Sequence, residues 1–239
     1  MQCVILAGGL GTRIRSVAPD IPKCLIEVAG HPFADLQLSW LARQEVEDVV
    51  YCIGYLGDQV RNFVGNGNRW HLNVSYVDEG EHLLGTAGAL RLALDQGILA
   101  ECFLVLYGDS FLSIRLSDVM AAHRASSRSA LMTVFRNDGN WERSNAVFDG
   151  SRVTLYEKGS GQARDDMHFV DYGVSCLQRE VIRDRVPSWH ATDLASLFQE
   201  LSLEGQLAGM EAHSRFYEVG SPEGVRDLEL HLNLGDTPA

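Results

Sequence analysis

The sequence predicts an α/β fold with a mostly parallel, twisted sheet and a small antiparallel insertion. Up to about residue 135, short apolar runs typical of buried strands alternate with segments of helical periodicity. Beyond that point, strands follow one another closely, with glycines between them. The chain has 239 residues, of which 46% are hydrophobic and 22% charged, so one large domain can bury its own core.

The first half predicts the parallel part of the sheet. Strands are expected over 3–6, 49–53, 74–77, 102–107 and 130–135, and helices over 33–44, 58–64, 85–94 and 116–124. Crossovers between parallel strands are right-handed, so the loops at the carboxyl ends of these strands gather at one edge. Ligands of open α/β sheets usually bind at that edge.

The second half predicts the antiparallel insertion and the closing elements. Strands are expected over 146–148, 152–157, 169–177, 207–212 and 216–219, with a helix over 193–203 between them. A last helix should begin at Ser221, which can cap it, with Pro222 in its first turn, and end near 232. We expect one domain over 1–234 and a loose tail over 235–239.

The bulk properties exclude several classes. The formal net charge of −12 argues against a nucleic-acid binder, which needs a cationic surface. The five cysteines, Cys3, Cys24, Cys52, Cys102 and Cys176, are widely spaced and suggest neither a zinc site nor a disulfide framework. All but Cys24 lie in or beside apolar runs, where buried free thiols are expected, and a reducing cytoplasm fits. The sequence indicates neither a signal peptide nor a membrane span.

The segment after the first predicted strand, Leu6-Ala7-Gly8-Gly9-Leu10-Gly11-Thr12-Arg13, suits an anion. Glycines expose backbone N–H groups to phosphate, and an arginine adds a planar fork of donors. A tight turn with an incidental arginine is the alternative. A Rossmann fingerprint would need glycine where Ile14 stands, and a P-loop would need Gly-Lys followed by Ser or Thr.

Further motifs make the pattern specific. The glycine segment is followed by Pro22-Lys23, then by Leu84-Gly85-Thr86-Ala87-Gly88-Ala89, Gly108-Asp109, Glu157-Lys158 and Glu218-Val219-Gly220-Ser221-Pro222. In this order, and over almost the whole chain, they resemble the sugar-1-phosphate nucleotidyltransferases. The resemblance implies a single-domain, Rossmann-like fold of the glycosyltransferase-A type. The loop around Gly85 is most similar to that of the mannose-1-phosphate and D-glycero-D-manno-heptose 1-phosphate guanylyltransferases.

The resemblance also implies a role for each motif residue. Arg13, Lys23 and Asp109 would be catalytic. The nucleotide would be bound by Leu6, Ala7, Gly8, Gly9, Gly11, Thr12, Arg13, Lys23, Gly85, Thr86, Gly88 and Asp109, and the sugar phosphate by Gly108, Glu157, Lys158, Asp171 and Gly173. Asp109 and Glu218 would hold Mg²⁺. The family normally has aspartate at position 218, and glutamate departs from this by one methylene while keeping the charge.

Taken without the resemblance, these residues permit other interpretations. Lys23 would be a solvated lysine, Asp109 a turn aspartate, and Glu157 with Lys158 an adjacent surface pair. With it, the predicted reaction is transfer of a nucleoside monophosphate, GTP being the favoured donor, to a heptose or hexose 1-phosphate. The alternatives are transfer of another base, a non-sugar phosphate acceptor, or a catalytically weak regulatory protein that binds nucleotide sugars. A nicotinamide-dependent oxidoreductase is a further alternative, against which Ile14 and the combination of Arg13 with Lys23 argue. A homodimer is a further expectation.

Overall fold

The computed structural model describes residues 1–9, 19–137, 143–159 and 164–233. Three predicted site residues, Gly11, Thr12 and Arg13, lie outside the described residues, as does the predicted tail over 235–239. In the described part of the chain, no helix is long and apolar enough to cross a membrane.

Ten of the described strands correspond to predicted ones, and three two-residue strands, over 27–28, 31–32 and 110–111, were not predicted. The strands are β1 (Gln2–Leu6), β2 (Glu27–Val28), β3 (His31–Pro32), β4 (Asp48–Ile53), β5 (Asn73–Asp78), β6 (Cys102–Tyr107), β7 (Ser110–Phe111), β8 (Ala130–Arg136), β9 (Ala146–Phe148), β10 (Val153–Tyr156), β11 (Phe169–Gln178), β12 (Leu207–Ala212) and β13 (Tyr217–Glu218). The helices are α1 (Phe33–Arg43), α2 (Gly57–Val64), α3 (Gly85–Asp95), α4 (Leu116–Ser126), α5 (Arg179–Arg185), α6 (Leu194–Leu203) and α7 (Pro222–Asn233).

Nine of the described strands form one mixed sheet. Its parallel half has the order β6-β1-β4-β5, in which Val4 lies opposite both Val50 and Val105. The long strand β11 then runs antiparallel to β6 and continues the sheet to β8, β9 and β10, and β12 pairs with β8 in parallel. This arrangement confirms the predicted α/β fold class.

Two layers of helices cover the sheet because the apolar side chains of its strands alternate between its faces. Along β1, Val4 and Leu6 pack toward α3, α5 and α6, whereas Cys3 and Ile5 pack toward α1, α2 and α4. Since both faces are covered, β1, β4 and β6 read as nearly continuous apolar runs, whereas the edge strand β5 alternates and contains Ser75. Their polar neighbours are therefore confined to the strand ends, where the site forms.

A small third hydrophobic cluster holds the last described helix, α7, against two short strands. The two-residue strands β7 and β13 pair antiparallel, and α7 packs on them through Leu228, which contacts Phe111 and Val219 in a third cluster. The predicted start of α7 is confirmed, since the backbone N–H of Gly224 donates to the hydroxyl of Ser221 at 3.1 Å. The pairing brings Glu218 to the end of β6.

Candidate active site

A cleft of about 300 Å³ opens at the carboxyl ends of β1, β4 and β6. It lies at the edge that the strand–helix alternation predicts. Its lining residues are Leu6, Ala7, Gly8, Gly9, Lys23, Cys24, Cys52, Glu79, Leu83, Gly85, Thr86, Ala89, Tyr107, Gly108, Asp109 and Asp193. Most of the predicted nucleotide-binding residues in the described part of the chain therefore share one cavity.

The start of the glycine segment is held firmly at the base of this cleft. Ala7 donates its N–H to the carbonyl of Cys52 at 2.9 Å, and Leu6 accepts from Gly108 at 3.0 Å. A Cβ atom on Gly8 would lie 2.5 Å from Oε1 of Glu79, so a side chain cannot be placed there without displacing the carboxylate. A Cβ on Gly9 would meet nothing within 4 Å. The first glycine serves packing, and the second leaves the backbone open to a ligand.

Lys23 and Asp109 form an ion pair in the cleft. The Nζ of Lys23 lies 3.1 Å from Oδ2 of Asp109, and the two side chains are 24% and 19% exposed. Lys23 begins a short 3-10 turn, and Asp109 directly follows β6 and Gly108. Two motifs separated by 86 residues thus meet at one point, with a cation and a carboxylate both still accessible from the cleft.

Glu218, on β13, lies in the strand that pairs with the segment directly after Asp109. It lies opposite Ser110 in the β7–β13 pair, and the N–H of Val219 donates to the carbonyl of Asp109 at 2.9 Å. Its backbone is therefore one strand away from that of Asp109. Of the two predicted metal-binding residues, Asp109 lines the cleft and directly precedes β7, whereas Glu218 lies on the strand that pairs with β7 and is not among the lining residues.

Four carboxylates lie close enough to Tyr107 to affect the pKa of its phenol. Burial raises the pKa of its phenol well above the ordinary value, and the charges of four carboxylates raise it further: Asp171, Asp109, Glu218 and Asp193. The Nζ of Lys158 lies over the Tyr107 ring, 5.4 Å from its centroid. Lys158 is thus brought to the end of β6, near which Lys23 also lies.

A buried glutamine fixes the turn that carries Asp109. Gln37, on α1 and only 2% exposed, donates its amide to the carbonyls of Tyr107 at 3.0 Å and Ser110 at 3.1 Å. Both carbonyls flank the turn through Gly108 and Asp109, so α1 determines where the carboxylate points. Nothing in the sequence motifs signals this role of Gln37.

Of the predicted sugar-binding residues, Gly108 lines the first cleft and Glu157 lines a second cavity of about 310 Å³. The residues around the second cavity are Arg143, Ser144, Asn145, Glu157 and Gly159. Asn145 connects the backbone at Glu157 with the backbone at Asp171. Its carbonyl accepts from the N–H of Glu157 at 2.8 Å, and its side-chain oxygen accepts from the N–H of Asp171 at 3.0 Å. Gly173 has a φ of +107° at an irregularity in β11, and it donates its N–H to Asp171 at 3.0 Å.

Glu79 also lines the cleft, and the sequence analysis did not predict it as a site residue. Its Oε2 accepts from the N–H of Leu84 at 2.6 Å, and its Oε1 lies beside Gly8. Burial raises the pKa of this carboxyl. The available signal was its position directly after β5, which corresponds to that of Asp109 after β6.

Asp193, the residue preceding α6, is the other missed carboxylate. Its Oδ1 accepts from the hydroxyl of Thr86 at 3.3 Å, and that hydroxyl in turn accepts from the N–H of Leu194 at 2.7 Å. Gly88 lies on α3 outside the cleft lining, and its N–H donates to the carbonyl of Thr192 at 3.1 Å. The loop that contains Gly85 and Thr86 is therefore fixed by the segment before α6.

Comparisons with known proteins agree with this geometry. The family model for the nucleotidyl transferases matches residues 2–228. A D-glycero-alpha-D-manno-heptose 1-phosphate guanylyltransferase of Aneurinibacillus thermoaerophilus is 24% identical over 97% of this chain and 98% of its own length. A mannose-1-phosphate guanyltransferase beta-A of Xenopus laevis is 26% identical over 93% of this chain and 62% of its own length.

A solved structure with the same fold is that of HddC from Yersinia pseudotuberculosis complexed with GMP-PN. Its TM-score is 0.78 at 23% identity, with 97% of this chain and 99% of that chain covered. The fold is shared along almost the full length of both chains. The resemblance predicted from the motifs is thereby confirmed.

Proposed function

The chain belongs to the nucleotidyl transferase family, and we propose that it transfers GMP from GTP to a heptose or hexose 1-phosphate. The products are a GDP-sugar and pyrophosphate. The chain spans nearly all of the heptose enzyme but 62% of the Xenopus relative. The observation that carries the proposal is the Lys23–Asp109 pair at 3.1 Å, with Glu218 on the adjoining strand.

The proposed reaction is a direct displacement at phosphorus. An oxygen of the sugar 1-phosphate attacks the α-phosphorus of GTP, and the bond from that phosphorus to the oxygen bridging to the β-phosphate breaks. Pyrophosphate carries away the electron pair. Such a reaction needs positioning and charge stabilisation rather than an enzyme nucleophile. Lys23 stabilises the charge that develops on the phosphates, and we propose the same for Arg13.

Lys158 is proposed to hold the phosphate of the sugar. Its ammonium group lies over Tyr107, at the strand end that leads to Asp109, so it can meet a phosphate placed between the two cavities. Glu157 in the second cavity accepts hydrogen bonds from sugar hydroxyls. Asp171 and Gly173 shape the floor next to it through their mutual hydrogen bond.

The carboxylates fit a divalent cation, which enzymes of this family generally use, and we propose Mg²⁺. Four carboxylates act on Tyr107, whereas the described cations beside them are Lys23 and Lys158. Two phosphorylated substrates would be repelled by this excess of negative charge. Asp109 and Glu218 offer the oxygen ligands that Mg²⁺ prefers. When bound there, the ion would offset phosphate charge and align the two substrates.

Glu79 supports guanine as the base. An ionised carboxylate accepts hydrogen bonds only, and the Watson–Crick edge of guanine presents an N–H and an NH₂ group side by side. Uracil and thymine present a single N–H between two carbonyls, which would face the carboxylate unfavourably. Because Oε2 is already bound to the N–H of Leu84, Oε1 near Gly8 is the acceptor that we assign to the base.

The test is a matrix of five nucleoside triphosphates against sugar 1-phosphates that include mannose and heptose, scored by pyrophosphate release. We expect release only when donor and acceptor are both present, fastest with GTP. A preference for UTP or dTTP would refute the assignment of Glu79, and release with phosphocholine in place of a sugar phosphate would refute the acceptor class. Binding without turnover in every combination would identify a regulatory protein instead.

Three wider assignments accompany the proposal. We propose one nucleotidyltransferase domain over 1–234 and a cytoplasmic location, where its five free thiols stay reduced. A homodimer is also proposed, for which the exposed apolar side chains of Trp189, Leu203 and Leu230 are available. Analytical ultracentrifugation measures the oligomeric state directly.

A further inference from the structure

A cluster of soft donor atoms lies at the start of β6, about 16 Å along the strand from Tyr107 and the cleft. We call Cys102, Met120, His123 and Cys176 the sulfur–imidazole cluster. The Sγ of Cys102 lies 3.3 Å from Sγ of Cys176 and 3.5 Å from Nδ1 of His123. The Sδ of Met120 lies 3.4 Å from Sγ of Cys176. Three elements, β6, β11 and α4, converge here.

The strand register argues against a disulfide as the reason for this proximity. Cys176 pairs with Leu104 and Cys102 pairs with Gln178, so the two cysteines are diagonal neighbours on one face of the antiparallel pair. Diagonal positions are about 7–8 Å apart, whereas a disulfide requires Cα atoms about 4.4–6.8 Å apart. The side chains reach toward each other across a gap that suits a bridging atom better than a direct bond.

The donor spacing matches that of a tetrahedral zinc ion. With Zn–S bonds of about 2.3 Å and a Zn–N bond of about 2.0 Å, tetrahedral geometry separates sulfurs by about 3.8 Å and sulfur from nitrogen by about 3.5 Å. The observed separations are 3.3 Å and 3.5 Å. Side-chain movements of a few tenths of an ångström would therefore make room for an ion.

The net charge of the loaded cluster and its exposure to solvent also suit a bound metal ion. Cys176 and His123 are buried, and Cys102 is half-buried, which leaves one open side. The positive charge of Arg124 acts on both thiol groups. Two thiolates with a divalent ion are neutral in sum, so the loaded cluster can stay buried next to that arginine.

We propose that Cys102, His123 and Cys176 form a binding site for a thiophilic divalent metal ion, Zn²⁺ being the ion that their donors fit best. The two thiolates and Nδ1 of His123 bind the ion, and water enters the fourth position from the side of Cys102. The protons of the two thiols are released to solvent. The site joins β6, β11 and α4 at the end of the sheet remote from the nucleotide, and it serves stability rather than phosphoryl transfer.

The experiment is a Co²⁺ titration of the reduced, full-length protein, since Co²⁺ substitutes for Zn²⁺ and reports thiolate ligands by a sulfur-to-cobalt charge-transfer band. We expect the band to saturate at one ion per chain and to be abolished by equimolar Zn²⁺. Excess Mg²⁺ and the Asp109→Asn substitution should leave it unchanged, because neither affects sulfur ligands. Cys102→Ser and Cys176→Ser should abolish it, whereas the matched control Cys3→Ala, on the adjoining strand β1, should retain it.

A second measurement uses the wild-type chain alone, so it does not depend on whether the variants fold. Zn²⁺ should slow alkylation of Cys102 by iodoacetamide, followed by peptide mass spectrometry, and a chelator should restore the rate. The proposal is overturned if no sulfur band forms in the reduced protein, if the band persists in both serine variants, or if Zn²⁺ leaves the alkylation rate unchanged. A Cys102–Cys176 disulfide that re-forms in air and excludes Co²⁺ would also overturn it.

Discussion

Asparagine in place of Asp109 keeps the size of the side chain and removes its charge. The substitution takes away one proposed metal ligand and the partner of Lys23 at 3.1 Å. Loss of one preorganised charge-stabilising group typically lowers kcat by about 10²–10³-fold, which corresponds to about 2.7–4 kcal/mol. We expect a loss of at least this size, because metal binding and the orientation of Lys23 both depend on the same carboxylate.

The effect of this substitution on folding should be much smaller. An exposed ion pair contributes about 0–1 kcal/mol and a fully buried one, when broken, costs about 3–5 kcal/mol. The Lys23–Asp109 pair lies between these limits, at 24% and 19% exposure. Removing Asp109 also relieves repulsion with the neighbouring carboxylates near Tyr107. The free energy of unfolding should change by no more than about 2 kcal/mol, or about 8 °C in Tm.

The assay pairs initial rates of pyrophosphate release with thermal unfolding of the same preparations. Asp95→Asn is the matched control, because it breaks a surface pair with Arg91 at 2.8 Å, outside the lining of the cleft. The control should keep wild-type turnover. The reasoning is refuted if Asp109→Asn retains a kcat within tenfold of wild type, or if its activity loss is accompanied by a drop in Tm well beyond that limit.

Three further substitutions test the site and its support. Lys158→Ala should raise KM for the sugar 1-phosphate by about 10–100-fold, the effect of one lost charge-assisted hydrogen bond, with KM for GTP unchanged; equal rises in both would contradict its assignment to the acceptor. Glu79→Gln should reduce the preference for GTP over UTP by about 1–3 kcal/mol in kcat/KM, and an unchanged preference would remove Glu79 from base recognition. Because burial raises the pKa of Glu79, the native state holds its proton to higher pH than the unfolded state. Once Glu79 is ionised in the native state, its buried charge lowers the stability of the protein. Glu79→Gln should therefore raise Tm at neutral pH, and this gain should vanish below the ordinary pKa of 4.5, where the carboxyl is protonated in both states. A difference in Tm between the two proteins that does not change with pH would count against this. Gln37→Leu leaves two buried carbonyls at the end of β6 unpaired and should lower the free energy of unfolding by about 2–4 kcal/mol in urea denaturation, whereas Gln59→Leu, which loses a surface bond, should change it by less than about 1 kcal/mol.

The parallel half of the fold was predictable because its strands are bounded by clear signals. β6 is an apolar run of six residues that is followed by Gly108, and the structure gives the predicted limits. α5 was missed because its seven residues directly follow β11 and bury only Val181 and Ile182, too few for a helical period. The parallel pairing of β12 with β8 is a contact between distant segments, which local sequence patterns do not encode.

The site residues that belong to a sequence motif were predictable, whereas those that only tertiary packing brings to the cleft were not. Lys23 and Asp109 meet as the motifs imply. Glu79 and Asp193 line the cleft without belonging to any motif that the sequence displays. The sulfur–imidazole cluster was hidden for the same reason, since Cys102 and Cys176 are 74 residues apart and only the register of β6 with β11 joins them.

The most direct test of the proposed reaction follows the α-phosphorus. The purified chain is incubated with Mg²⁺, GTP labelled at its α-phosphate and D-glycero-α-D-manno-heptose 1-phosphate or mannose 1-phosphate, and the labelled products are separated. The account predicts that the label passes into a GDP-sugar, that pyrophosphate is unlabelled, and that no label stays on the protein. Label recovered as free GMP, or on the protein itself, would contradict direct transfer to a sugar phosphate at the Lys23–Asp109 site.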